Sequence, residues 1–157
     1  MAFSRATALL NRSLLQQVGP AKLIEETRKR YTKDAPSSAA ASRAAENLRR
    51  AYRAGVMLVT GSDAGNPLVI HGPTVQFEMQ LWVEAGIPPA AALQAATYNA
   101  ARLLGAGRRI GRIAPGYDAD LLLVDGNPLA DITATQSVSL VIYKGERIRR
   151  ARLFDQK

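Results

Sequence analysis

The feature that most constrains the fold is a short apolar run, Val56 to Thr60, enclosed by Gly55 and Gly61. The run is too short for a helix, and valine and leucine between glycines are typical of a strand buried on both faces. Helical patterns lie on both sides of it. The order helix, glycine, strand, loop, helix predicts an α/β fold, with this strand in a parallel sheet covered by helices.

Apolar residues at helical spacing predict the remaining elements of the first hundred residues. The predicted helices run over residues 9–18, from Pro20 to about Tyr31, from Ser37 or Ser38 to about Ala54, over 74–85, and over 89–104.

The period changes after Ile110, where strands replace helices. An apolar strand framed by acids is predicted over residues 118–125. Two further strands, Val138–Tyr143 and Glu146–Arg149, are predicted as a hairpin around Lys144-Gly145, although lysine is not an ideal residue for a two-residue turn. The chain thus has an α/β front and a small β back.

Composition narrows the chemistry. The chain has 157 residues, 47% of them hydrophobic, which is enough for one ordinary core. It contains no cysteine and one histidine, His71. Disulfides, zinc–thiolate sites, iron–sulfur clusters and thiol nucleophiles are therefore excluded. A serine–histidine–aspartate triad or a polyhistidine metal site would depend on His71 alone.

The net charge of +8 has two interpretations. Solvated helix faces explain the basic residues, and a polyanion-binding surface is the weaker interpretation because no nucleic-acid motif accompanies them. Residues 1–22 contain no acid and carry Arg5 and Arg12, which is typical of a transit peptide and equally of an ordinary packed helix. No apolar run is long enough to span a membrane.

Asp63 is the candidate catalytic residue because it follows the predicted strand directly. Ligands and catalytic groups gather at the carboxyl ends of parallel strands. A carboxylate there can bind a divalent metal or accept a proton from a water molecule. The alternative is local: Asp63, helped by Ser62, caps a turn or the next helix.

Several stretches, taken in order, resemble the C-terminal part of a metal-dependent amidohydrolase, closest to the imidazolonepropionase-like and prolidase-like enzymes. The resemblance is specific over roughly residues 44–150. The stretches that carry it are residues 55–65, His71-Gly72 followed by Glu78, residues 84–88, residues 95–105 and residues 110–121.

The resemblance implies a fold. The family has a (β/α)8 TIM barrel with a small β-sandwich, which is completed by strands from both chain ends. Residues 1–108 would be the C-terminal fragment of the barrel, with strand eight at 56–60 and its flanking helices. Residues 109–157 would be part of the composite β-sandwich domain.

The resemblance also implies a site. Asp63 would be the aspartate after strand eight, which ligates the metal, accepts a proton from the hydrolytic water and passes it to the leaving nitrogen. The metal would be zinc in the complete family enzyme. His71 and Glu78 would lie near the substrate, a small amide, cyclic amide or dipeptide.

The chain departs from the family pattern in its metal ligands. Family members carry a His-x-His pair on the first strand, a lysine or acid on the fourth, and histidines on the fifth and sixth. His71, the single histidine, follows strand eight, and a complete barrel needs about 250 residues. We therefore interpret the chain as a truncated piece that binds no metal stably and is inactive alone.

Several expectations follow for its surroundings. We expect a partner chain or a homo-oligomer to complete the fold, a cytoplasmic location, and neither membrane nor nucleic acid as a partner. The alternative function is a non-catalytic remnant or interaction subunit. Residue by residue, His71 is also explained as an ordinary loop residue and Glu78 as a solvent-facing or capping acid, while Met79 and Trp82 are predicted core.

Overall fold

The structure is a computed structural model that describes residues 21–34, 38–64 and 73–149. His71, the helix predicted over residues 9–18 and nearly all of the acid-free segment 1–22 lie outside the described residues. The helices are α1 (Ala21–Asp34), α2 (Ser38–Arg53), α3 (Thr74–Glu84), α4 (Pro89–Gln94), a π-helix (Ala95–Asn99) and α5 (Ala100–Leu103). They are followed by β1 (Leu121–Val124), a 3₁₀ helix (Ile132–Gln136), β2 (Val138–Tyr143) and β3 (Glu146–Ile148).

The predicted helices in the described residues are confirmed within a few positions. Helix α3 ends at Glu84, and Gly86 follows with φ +92°, a conformation that glycine adopts without strain. Pro89 opens α4, where a missing backbone N–H costs no helical bond. The helix predicted over 89–104 differs from the structure in one respect: it is not α-helical throughout, because residues 95–99 form a π-helix.

The prediction of a buried strand at Val56–Thr60 is wrong for this structure. The segment carries no strand ladder; Val56 and Met57 are 55% and 44% exposed, and only residues 58–60 are half-buried. A strand requires a neighbour that pairs with its backbone N–H and C=O groups. No other strand of the described residues lies beside this segment, because the sheet contains only β1, β2 and β3.

One apolar core joins the helices. Its buried members are Met79, Trp82, Ile87, Ala92, Ala95 and Ile132, with Leu58 packed against them. The prediction that Met79 and Trp82 belong to the core is confirmed. Ile132, on the 3₁₀ helix between two strands, reaches this core and is only 4% exposed. The β-rich end of the chain therefore contributes a side chain to the helical core.

The three strands form an antiparallel sheet in the order β1-β2-β3. Strands β2 and β3 pair as a hairpin, with Tyr143 opposite Glu146. Its two turn residues, Lys144 and Gly145, have φ +51° and +83°. Positive φ at both central residues is what a type I′ hairpin turn requires, so the predicted hairpin is confirmed despite the lysine.

Helix α2 is fixed to the end of α3 by one long side chain. Arg49 Nη1 donates to the Ala85 carbonyl at 3.1 Å, and its guanidinium also pairs with Glu46. In the described residues, none of the helices combines the length and the apolar character needed to cross a bilayer.

Candidate functional site

The segment before Asp63 is held by helices instead of strands. Asn99 Nδ2 donates to the Leu58 carbonyl oxygen at 2.9 Å. The Thr60 N–H donates to the Ala95 carbonyl oxygen with a nitrogen–oxygen distance of 3.4 Å. Both acceptor and donor therefore come from the π-helix. Two backbone groups that could pair in a sheet, the Leu58 carbonyl and the Thr60 N–H, are therefore bonded to a helix.

Glu78 supplies the next bond along the chain. Its Oε2 accepts the Gly61 N–H at 2.9 Å, across 17 residues of sequence. Partial burial raises the pKa of the Glu78 carboxyl above its usual range, and hydrogen bonds from Gly61 and the Trp82 side chain oppose that rise. A carboxylate in a partly desolvated position gains most from such bonds because its charge is poorly hydrated there.

Asp63 follows Gly61 by two residues and has an exposed side chain. Its φ is +50°, in the left-handed region, where residues other than glycine are uncommon and where aspartate is better tolerated than most. The turn therefore presents the carboxylate from an unusual backbone conformation. Such conformations persist only where the surrounding structure restrains the chain, and they are frequent at functional sites.

The structure brings two of the three predicted site residues into one neighbourhood. Asp63 and Glu78 are linked through the backbone of Gly61, whereas His71 lies outside the described residues. Within residues 21–34, 38–64 and 73–149, no three acids or histidines are grouped closely enough to hold a metal ion. A zinc site needs about three protein ligands, so the described part of the chain does not by itself fit a metal centre.

Sequence reasoning missed Asn99 as a functional candidate. Its signal is weak, because one polar residue in an alanine-rich helix is ordinary. Asn99 is nevertheless half-buried and makes a bond across 41 residues. The π-helix was missed for a different reason: apolar spacing does not distinguish it from an α-helix over one turn.

A separate groove of about 530 Å³ lies between α2 and α3. Its described walls are mostly apolar, and Glu78 is one of the charged residues that line it. Asp63 is not among the residues that line it, so the groove shares Glu78, but not Asp63, with the candidate site. The lining residues are Ala41, Ala44, Ala45, Leu48, Arg49, Glu78, Leu81, Trp82, Glu84 and Ala85.

Comparison with known proteins decides the family. The profile described as "Amidohydrolase family" matches residues 17–148, which is most of the chain. The chain belongs to the amidohydrolase family. The resemblance that the motifs predicted is thereby confirmed, and the mixed α/β architecture agrees with it.

Individual relatives of this amidohydrolase-family chain are only partly covered by it. It is 43% identical over 68 residues to an adenine deaminase of Methanothrix thermoacetophila, covering 43% of this chain and 10% of that protein. It is 35% identical over 102 residues to the ochratoxinase of Aspergillus niger, covering 62% of this chain and 20% of the relative. The chain thus spans a tenth to a fifth of these curated relatives.

A solved structure covers nearly the whole chain. It is a Xaa-Pro dipeptidase with methionine bound in its active site, 30% identical, with a TM-score of 0.63. The match includes 94% of this chain and 33% of the dipeptidase. The similarity therefore concerns about one third of the dipeptidase structure.

Proposed function

We propose that this chain contributes residues 56–60, the helices on either side of them and part of the β-sandwich to an amidohydrolase barrel that hydrolyses carbon–nitrogen bonds. The family match over residues 17–148, which includes Asp63, carries this proposal. Two of the relatives support the reaction class, because deamination and dipeptide cleavage both break a carbon–nitrogen bond. We expect a small amide, cyclic amide or dipeptide as substrate.

Asp63 is the residue to which we assign the proton transfer. Hydrolysis requires removal of a proton from water as it attacks the carbon and delivery of a proton to the departing nitrogen. An exposed carboxylate at the end of a restrained segment can do both in turn. Substrate contact by His71 and Glu78 stays a prediction; the bonds of Glu78 in this structure are to Gly61 and Trp82.

The family implies a divalent metal, and we assign no metal-dependent step to this chain alone. Asp63 is one carboxylate, and within the described residues no group of three or more acids or histidines could hold a metal ion. Zinc added to the isolated chain is therefore expected to produce no hydrolysis. Metal ligation by Asp63 in a complete barrel stays a prediction.

A complementation experiment tests the proposal. The Xaa-Pro dipeptidase is a suitable host, because this chain matches one third of it. The other two thirds of that enzyme, co-expressed with this chain, should hydrolyse Xaa-Pro dipeptides. Asp63→Asn keeps the size of the side chain but removes the base, and should lower kcat by about 10²- to 10⁴-fold.

The matched control is Asp125→Asn, which changes another exposed aspartate, at the end of β1. It should leave kcat within about twofold, since general acid–base catalysis depends on a positioned group. Full activity in the Asp63→Asn assembly would refute the role of Asp63. An inactive assembly with the unmodified chain would count against the proposed reaction.

A second function, an interaction subunit that requires a partner chain, is favoured by the apolar surface. Val56 and Met57 are exposed, and Leu122 on β1, an edge strand of the described sheet, is 61% exposed. Large apolar side chains at unpaired strand edges are typical of surfaces that another chain covers. We propose that the partner supplies the neighbouring strands.

Size measurement and thermal unfolding of the purified chain separate this function from an independent domain. A chain that needs a partner should associate or melt without a sharp transition. A soluble monomer that unfolds cooperatively on its own would contradict the requirement for a partner.

A further inference from the structure

In the described structure, two polar side chains restrain the segment that leads to Asp63 at two points, in addition to the backbone bond from Thr60 to Ala95. The first point is the Leu58 carbonyl, which accepts from Asn99 Nδ2 at 2.9 Å. The second is the Gly61 N–H, which donates to Glu78 Oε2 at the same distance. The two side chains lie on different helices, so they approach the segment from separate elements.

The π-helix sets the position of the first point. Its residue Ala95 accepts the Thr60 N–H, and its last residue, Asn99, binds Leu58. Successive residues of an α-helix turn by about 100° around its axis, so a change of one residue in this helix would direct Asn99 away from Leu58. The widened turn is therefore part of how Asn99 reaches the segment, and π-helical turns are frequent at functional sites.

The second point lies close to the catalytic candidate. Gly61 is two residues before Asp63, and Asp63 adopts a φ of +50°. A residue other than glycine keeps such a φ only where the surrounding structure restrains the chain. The direction of the Asp63 carboxylate then depends on where the preceding peptide is held.

We infer that Asn99 and Glu78 are positioning residues that fix Leu58 and Gly61, and thereby the orientation of the Asp63 carboxylate. The catalytic consequence of this inference rests on the proposed function, whereas the restraint itself is a property of this chain. Neither residue needs to touch substrate for this role. Asn99 acts as a donor and Glu78 as an acceptor, so Asn99→Asp removes the donor and Glu78→Ala removes the acceptor.

Amide hydrogen exchange of the 157-residue chain, followed by NMR, tests the restraint. Asn99→Asp preserves side-chain shape and removes the donor. It should speed exchange at Thr60 and Gly61 by at least about tenfold and shift the Asp63 carboxyl ¹³C resonance, while α3 and β2 amides keep their rates. Asn127→Asp is the matched control, because Asn127 uses its Oδ1 to accept the Leu129 N–H and aspartate retains that oxygen.

Glu78 gives an independent arm with a conservative rescue. Glu78→Ala should accelerate exchange at Gly61 and shift the Asp63 resonance, and Glu78→Gln should restore both because its amide oxygen still accepts. Unchanged exchange in Asn99→Asp, or an equal acceleration at every amide of the chain, would overturn the inference. The second pattern would indicate general loss of stability.

The complemented dipeptidase distinguishes this inference from the proposed function. If the proposed function and the positioning inference both hold, Asn99→Asp should lower kcat about ten- to a hundredfold with little change in KM. Full activity of the Asp63→Asn assembly would refute the proposed function without affecting the conclusion from hydrogen exchange. A large loss of kcat in Asp63→Asn together with an unchanged kcat in Asn99→Asp would refute the positioning inference alone.

Discussion

Replacing Gly111 with alanine tests how closely the chain approaches the π-helix. Gly111 has φ +97°, and a Cβ there would lie 2.7 Å from Ala101 Cβ, 3.0 Å from the Thr97 oxygen and 3.0 Å from Tyr98 Cα. Non-bonded carbons normally sit about 3.5–4.0 Å apart, and two of these three atoms belong to the backbone. The new methyl group therefore has to displace the helix or the chain that crosses it.

The matched variant is Gly116→Ala. Gly116 has φ +82° and no atom within 4 Å of the position of a Cβ. Both substitutions incur about 1–2 kcal/mol for a left-handed conformation. Only Gly111→Ala adds overpacking against backbone, typically about 1–3 kcal/mol. The difference between the two free energies of unfolding isolates that second contribution.

Urea denaturation provides the measurement, because the chain has one tryptophan and Trp82 lies in the core. Trp82 fluorescence and far-ultraviolet circular dichroism should both report a larger decrease in the free energy of unfolding for Gly111→Ala than for Gly116→Ala. In thermal unfolding the difference corresponds to roughly 2 to 12 °C. Equal losses in the two variants would refute the close approach of Gly111 to the π-helix.

Two predictions concern pH. Burial raises the pKa of Glu78, so the folded chain keeps the Glu78 proton to a higher pH than the unfolded chain, and the free energy of unfolding falls as pH rises through the folded pKa. Glu78→Gln keeps an oxygen that accepts the Gly61 N–H, so in urea titrations it should be more stable than the natural chain at pH 7 and lose that advantage near pH 4. A larger advantage at pH 4 would contradict this prediction. Asp131 precedes the 3₁₀ helix, and hydrogen bonds from the Thr133 side chain and N–H lower the pKa of its carboxyl group. The stability that the Asp131 carboxylate contributes is therefore present above its unfolded pKa and is lost as pH falls through its folded pKa. Asp131→Asn should lose less free energy of unfolding on acidification than the natural chain in urea titrations, and an equal loss in both would contradict the role of these hydrogen bonds.

Local signals predicted most of the regular structure. Pro89 begins a helix, Gly86 follows one, and Lys144-Gly145 turns a hairpin because each acts through its own φ or its immediate neighbours. The strand at residues 56–60 could not be decided in this way. Its apolar pattern indicates burial, but strand formation depends on whether another strand lies alongside.

The candidate site was predictable only where local sequence carried a signal. Asp63 could be found because it follows an apolar run and belongs to an ordered set of motifs. The bond from Gly61 to Glu78 spans 17 residues and that from Asn99 to Leu58 spans 41, so neither has a local pattern. Glu78 did carry a usable signal: it lies one turn before Trp82 on a helix whose neighbouring positions face the core.

The position of Ile132 matters for anyone who divides this chain for laboratory work. A shortened version ending at residue 108, the predicted border between the two parts, would lack the isoleucine that packs with Met79 and Trp82. Loss of a buried isoleucine side chain costs about 2–5 kcal/mol, a large share of the stability of a small domain. Fusions and deletions should therefore retain the 3₁₀ helix, since the helices depend on it for part of their interior.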